Sequence, residues 1–118
     1  LLVTAATIYM SLLGPDGLKK VALNSHKTTQ ALAVRLSSIE GVSIVFSGQT
    51  FHECVLRIAT DTRKLIDELA KDYHILAGFN LSVDYSELGD TILVCATETR
   101  TEEDIERFAT TLENVLNK

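Results

Sequence analysis

Between Pro15 and Leu36 the residues Leu18, Val21, Ala22, Thr29, Leu32, Ala33 and Leu36 keep a three-and-four spacing. That is an apolar stripe on a helix of about six turns. A helix this long with one apolar stripe needs a broad surface to bury it. Past Gly41 the pattern changes at once. Val42-Ser43-Ile44-Val45-Phe46 has a two-residue period rich in β-branched side chains, as a strand does. A one-sided helix feeding directly into strands points to helices laid on a sheet.

The rest of the chain supplies both layers. Residues 1–13 read as an apolar helix stopped by Gly14, with Pro15 tolerated in a new first turn and Asp16 suited to its helix dipole. Ser47-Gly48-Gln49-Thr50 is turn chemistry, and Glu53-Cys54-Val55-Leu56-Arg57-Ile58 is a strand near enough to pair antiparallel with the first. Thr60 or Asp61 caps a helix whose inner face is Leu65, Ile66, Leu69 and Ala70. His74-Ile75-Leu76 is predicted as a short extended piece before Gly78, and residues 80–90 as loop. Thr91–Ala96 is apolar on both alternate faces, so it belongs inside the sheet. Thr101 with Asp104 resembles a capping box, and Ile105, Phe108, Ala109, Leu112, Val115 and Leu116 stripe a last helix. The expected fold class is α+β, a small antiparallel sheet with helices on one face.

Charge and cysteine usage narrow the function classes. The chain has 118 residues and a net charge of -5, enough length for one self-sufficient core and the wrong sign for phosphate backbones. Lys19-Lys20 is its densest basic run, so no nucleic-acid partner is expected. Residues 1–13 lack a basic leader and fall short of the ~20 apolar residues of a membrane span, so no membrane partner is expected either. Cys54 and Cys95 sit in apolar runs and read as buried free thiols of a reducing cytoplasm. The chain opens inside an apolar helix without an initiator Met, so the expectation is a piece of a longer protein.

No self-contained active site emerges. Ser25-His26-Lys27 has the look of a Schiff-base lysine passage, but it falls inside the long helix, where Lys27 would be solvated. His26, His52 and His74 share no helical i, i+4 relation and no cysteine has zinc-finger spacing, so no metal site is expected. Gly14-Pro15-Asp16-Gly17 precedes a helix, but Pro15 removes an amide that a phosphate loop needs. Arg57 interrupts an apolar strand, either as a carboxylate or subunit contact or on the solvent face with its stem along apolar neighbours. Glu98 and Arg100 leave the last strand where sites often sit, a placement equally explained by a polar turn in which the two pair locally.

Four stretches, taken in order, resemble the decarboxylating glycine dehydrogenases, the pyridoxal-phosphate proteins of the glycine cleavage system. They are Ala6–Leu18 with its helix–glycine–helix passage, Phe51-His52-Glu53-Cys54-Val55-Leu56-Arg57, Ile75-Leu76-Ala77-Gly78, and Leu93–Thr101 followed by Asp104-Ile105. The last is the most specific, and the match is closest to subunit 1 of the two-subunit bacterial form. The family more often carries asparagine at the position of His52 and proline at that of Ser86. The resemblance implies the fold of aspartate-aminotransferase-like, fold type I pyridoxal-phosphate enzymes. Residues 1–14 would be the helix leading in from a large domain, and residues 15–118 the small C-terminal domain. It implies decarboxylation of glycine with transfer of the aminomethyl group to the lipoyl arm of H-protein. Subunit 2 would be the partner and would carry the cofactor lysine. No catalytic, cofactor-binding or metal residue is expected in this piece, which would serve structure and assembly. His52, Glu53, Arg57, Gly78, Glu98 and Arg100 are the candidates for a cleft or subunit interface, with Gly78 expected to hold a positive φ. The small domain of another pyridoxal-phosphate transferase and a ligand-binding regulatory module are the competing readings.

Overall fold

Gly14 divides the first helix. In the computed structural model, which describes residues 1–118, α1 runs Leu2–Ser37 with Gly14 inside it at φ 61° and ψ -178°. Only glycine adopts that backbone without strain. The helix therefore breaks there and restarts at Pro15, whose missing N–H is no loss in a first turn. Behind the break the expected stripe is buried from Thr29 through Leu32, Ala33 and Leu36, and half-buried at Val21 and Ala22. Ahead of it, Leu2 is 84% and Leu12 81% exposed. The protruding half stretches the molecule to 48 × 30 × 30 Å with a radius of gyration of 15.8 Å. A compact chain of this length would have about 13.5 Å. Helix α1 stops at Ser37, so Gly41 lies in the turn that follows and does not itself close the helix.

Strand β1 (Val42–Ile44) pairs antiparallel with β2 (Glu53–Ile58), β2 with β4 (Thr91–Cys95), and β4 with β3 (Phe79–Asn80). The order is β1-β2-β4-β3, which places β4 inside the sheet as expected. β1 is shorter than its apolar run, although the Val45 N–H still donates to the Val55 carbonyl at 3.0 Å. Cys54, Leu56, Ile58, Ile92 and Val94 point to one face and join the buried residues of α1, α2 (Thr62–Tyr73) and α3 (Glu102–Leu116) in one core. α1 packs on β1 and β2, α2 on β3, and α3 against both helices.

Two local expectations are corrected. His74 is not the start of a strand: at φ 57° and ψ 38° it is the left-handed cap of α2. The short strand starts only after Gly78, whose φ is 149° and where a Cβ would collide with the Leu93 carbonyl oxygen. Its close approach to β4 therefore requires glycine. The second correction concerns Cys95, which is exposed while Cys54 is buried. Ile92, Val94 and Ala96 turn inward on β4, and the alternation of a strand turns Cys95 out.

Candidate functional site

The start of β2 and the end of β4 lie side by side. Glu53 is the register partner of Cys95, and the Ala96 N–H donates to the His52 carbonyl at 3.2 Å. One donor atom from each of His52, Glu53 and Cys95 therefore falls within 4.8 Å of the others. Nδ1 of His52 is buried with no hydrogen-bond partner. Its ring meets Phe51 edge-on, with centroids 4.9 Å apart and planes at 89°. Burial pushes the Cys95 thiol up, and the Glu53 charge beside it pushes the same way. On the opposite face burial alone raises Cys54.

Past Cys95 the chain is clamped to α1. The Thr29 hydroxyl donates to the Ala96 carbonyl at 2.8 Å in a fully buried bond. Ser25 Oγ donates to the Glu98 carboxylate at 3.0 Å and accepts the Glu98 N–H at 3.2 Å. Glu98 thus pairs across the fold with Ser25, and the local pair with Arg100 does not form. The Arg100 N–H instead closes the turn on the Thr97 carbonyl at 3.1 Å. Its side chain lines a cavity of about 310 Å³ together with Leu32, Ile75, Cys95, Asp104 and Phe108. One residue on, the capping box forms as expected. The Asp104 N–H donates to the Thr101 hydroxyl and the Thr101 N–H to the Asp104 carboxylate, at 3.1 and 3.0 Å. The bonds from Thr101 hold that carboxyl below its ordinary value.

Four of the six candidates, His52, Glu53, Glu98 and Arg100, thus gather at the start of β2 and beyond the end of β4. Arg57 does not join them. It lies four residues along β2 from Glu53, about 14 Å away at strand spacing, exposed between Ser43 and Thr91, with Nη2 3.4 Å from the Leu88 carbonyl it donates to. Gly78 is likewise committed to backbone packing on β4. Reasoning from sequence missed Cys95, whose partners come from another strand, and Ser25. The signal for Ser25 was present: Ser25 and Thr29 sit four apart on the buried stripe, two hydroxyls where only apolar groups need no partner. His26 and Lys27 are exposed on α1, as their helical position predicts.

No helix is long and apolar enough to cross a membrane. A model of the glycine cleavage system P-protein matches residues 1–112. The chain is 47% identical over 116 residues to a probable glycine dehydrogenase (decarboxylating) subunit 1 of Thioalkalivibrio sulfidiphilus, covering 98% of this chain and 25% of that one. It is 46% identical over 118 residues to the Legionella pneumophila counterpart, covering 100% and 26%. The chain therefore spans about a quarter of these relatives. Among solved structures, an inhibitor-bound glycine decarboxylase (P-protein) superposes with a TM-score of 0.84 at 28% identity, over 92% of this chain and 24% of that one. A NifS-like protein from Rickettsia africae shares the fold at 19% identity, with a TM-score of 0.66 over 87% of this chain and 31% of that one. By the family model over residues 1–112 and these relatives, the chain belongs to the glycine cleavage system P-protein family.

Proposed function

We propose that these residues serve as a structural and assembly part of subunit 1 of a two-subunit, cytoplasmic glycine decarboxylase. Residues 15–118 would be its small C-terminal domain and residues 1–14 the helix that joins it to a large domain. The observation that carries this reading is the 0.84 superposition on a glycine decarboxylase over 92% of the chain. The exposed apolar half of α1 supports it, because a helix apolar everywhere but the narrow Thr4, Thr7 and Ser11 face belongs under a neighbouring layer. So does the outer face of the sheet, where Val45, Val55, Leu93 and Phe79 line up across four strands.

Pyridoxal phosphate would supply the electron sink for decarboxylation in the assembled enzyme. The residues of this chain do not by themselves fit that group. Lys19, Lys20 and Lys27 are exposed on α1, and Ser25 near Lys27 is committed to Glu98. Lys64, Lys71 and Lys118 are tied to Asp61, Asp67 and Glu68 on the surface. The cofactor lysine is proposed to lie on subunit 2, and the aminomethyl acceptor to be the lipoyl group of H-protein. His52, Glu53, Arg57, Gly78, Glu98 and Arg100 are the residues proposed to face the cleft or the other subunit; all but the half-buried His52 are exposed.

Reconstitution tests the reading. The full-length parent chain is combined with subunit 2, pyridoxal phosphate and lipoylated H-protein, and carbon dioxide release from carboxyl-labelled glycine is followed. Release that needs both chains is expected. No release, with subunit 2 folded and cofactor-loaded, overturns the activity and leaves the fold.

A further inference from the structure

We propose that His52, Glu53 and Cys95 form a binding site for a divalent metal ion of the zinc class where β2 begins and β4 ends. The three side chains offer nitrogen, oxygen and sulfur donors within 4.8 Å of one another. Tetrahedral zinc with one nitrogen, one oxygen and one sulfur ligand holds its donors roughly 3.3–3.6 Å apart. The cluster is therefore open by no more than about 1.5 Å, a movement on the scale of side-chain rotamer changes.

The state of His52 is the second observation. Buried polar atoms nearly always have a partner, and Nδ1 of His52 has none.

The donor set selects the ion. Calcium and magnesium take oxygen ligands, whereas a mixed imidazole, thiolate and carboxylate set suits zinc and its cobalt analogue. Three protein ligands leave a fourth position for water, on the side where Glu53 and Cys95 meet solvent. The site stands whether or not the assembled protein decarboxylates glycine.

Cobalt(II) titration of the metal-stripped full-length protein tests the proposal. A near-ultraviolet thiolate-to-cobalt charge-transfer band should grow to saturation with visible bands of four-coordinate cobalt, and added zinc should bleach both. Cys95→Ser should abolish the charge-transfer band. His52→Asn should weaken cobalt and zinc binding by at least about tenfold, the lower end of what loss of a mere supporting group around a metal costs. Cys95 is exposed and His52 half-buried, so both variants are checked for folding by circular dichroism. Absence of the band in the parent protein overturns the site, as does a band that survives Cys95→Ser or an affinity unmoved by His52→Asn.

Discussion

The two halves of α1 are one continuous run of sequence with opposite surroundings. Behind Gly14, Leu32, Ala33 and Leu36 are sealed into the core, with Leu23 and Val34 left outside it. Ahead of it, Leu2, Val3, Ile8, Met10 and Leu12 spread over all but the narrow Thr4, Thr7 and Ser11 face and stand in solvent. Helical propensity does not separate the halves; the breadth of the apolar face does. A narrow stripe completes a layer already present in this chain, and a broad apolar face asks for cover on several sides. The proposed large domain is the natural source of that cover.

The sharpest way to break the comparison is a pair of matched truncations in the 118-residue chain. Leu36→Ala should lower the free energy of urea unfolding by about 2–5 kcal/mol, the range for emptying a fully buried leucine site. Leu12→Ala should stay within about 0.5 kcal/mol, as surface changes do. Equal effects would mean that both halves are packed.

A smaller effect tests how the buried half is pinned. Thr29→Val keeps the shape of the side chain and removes the hydroxyl bonded to the Ala96 carbonyl. The acceptor is left buried without a partner, for a loss of about 1–3 kcal/mol. An unchanged unfolding midpoint would show that this bond does not help to hold helix α1.

The smallest effect lies in the helix that α1 packs against, and pH reveals it. The Asp104 carboxyl is lowered below its ordinary value by its bonds with Thr101. Its contribution is therefore present above the unfolded carboxylate range, near pH 4, and is lost as pH falls through the lower folded value. Asp104→Asn should lower the unfolding midpoint at pH 7, and the gap to the parent chain should close on acidification below about pH 4. A gap that persists unchanged at pH 2 would remove the charged cap from the account of α3.

What was legible in the sequence is what neighbours along the chain decide. The stripe from Thr29 to Leu36, the strand Glu53–Ile58 and the Thr101–Asp104 box each rest on residues a few positions apart. β3 was misplaced because two residues, Phe79 and Asn80, carry no period of their own; pairing with β4 and the backbone of Gly78 define them. Glu98 was matched with its neighbour Arg100, whereas its partner Ser25 lies 73 positions away. The His52, Glu53 and Cys95 cluster escaped spacing rules for the same reason, since it draws on two strands brought together only by register.

Gly14 has a mechanical meaning as well. Residues 2–13 form an arm of about 18 Å at helical rise, joined to the sheet through a residue whose side can meet nothing within 4 Å. A rotation of roughly 10° about that point carries Leu2 some ~3 Å, by the same helical rise. Where the arm is gripped, its angle at one glycine sets the tilt of everything from Pro15 onward.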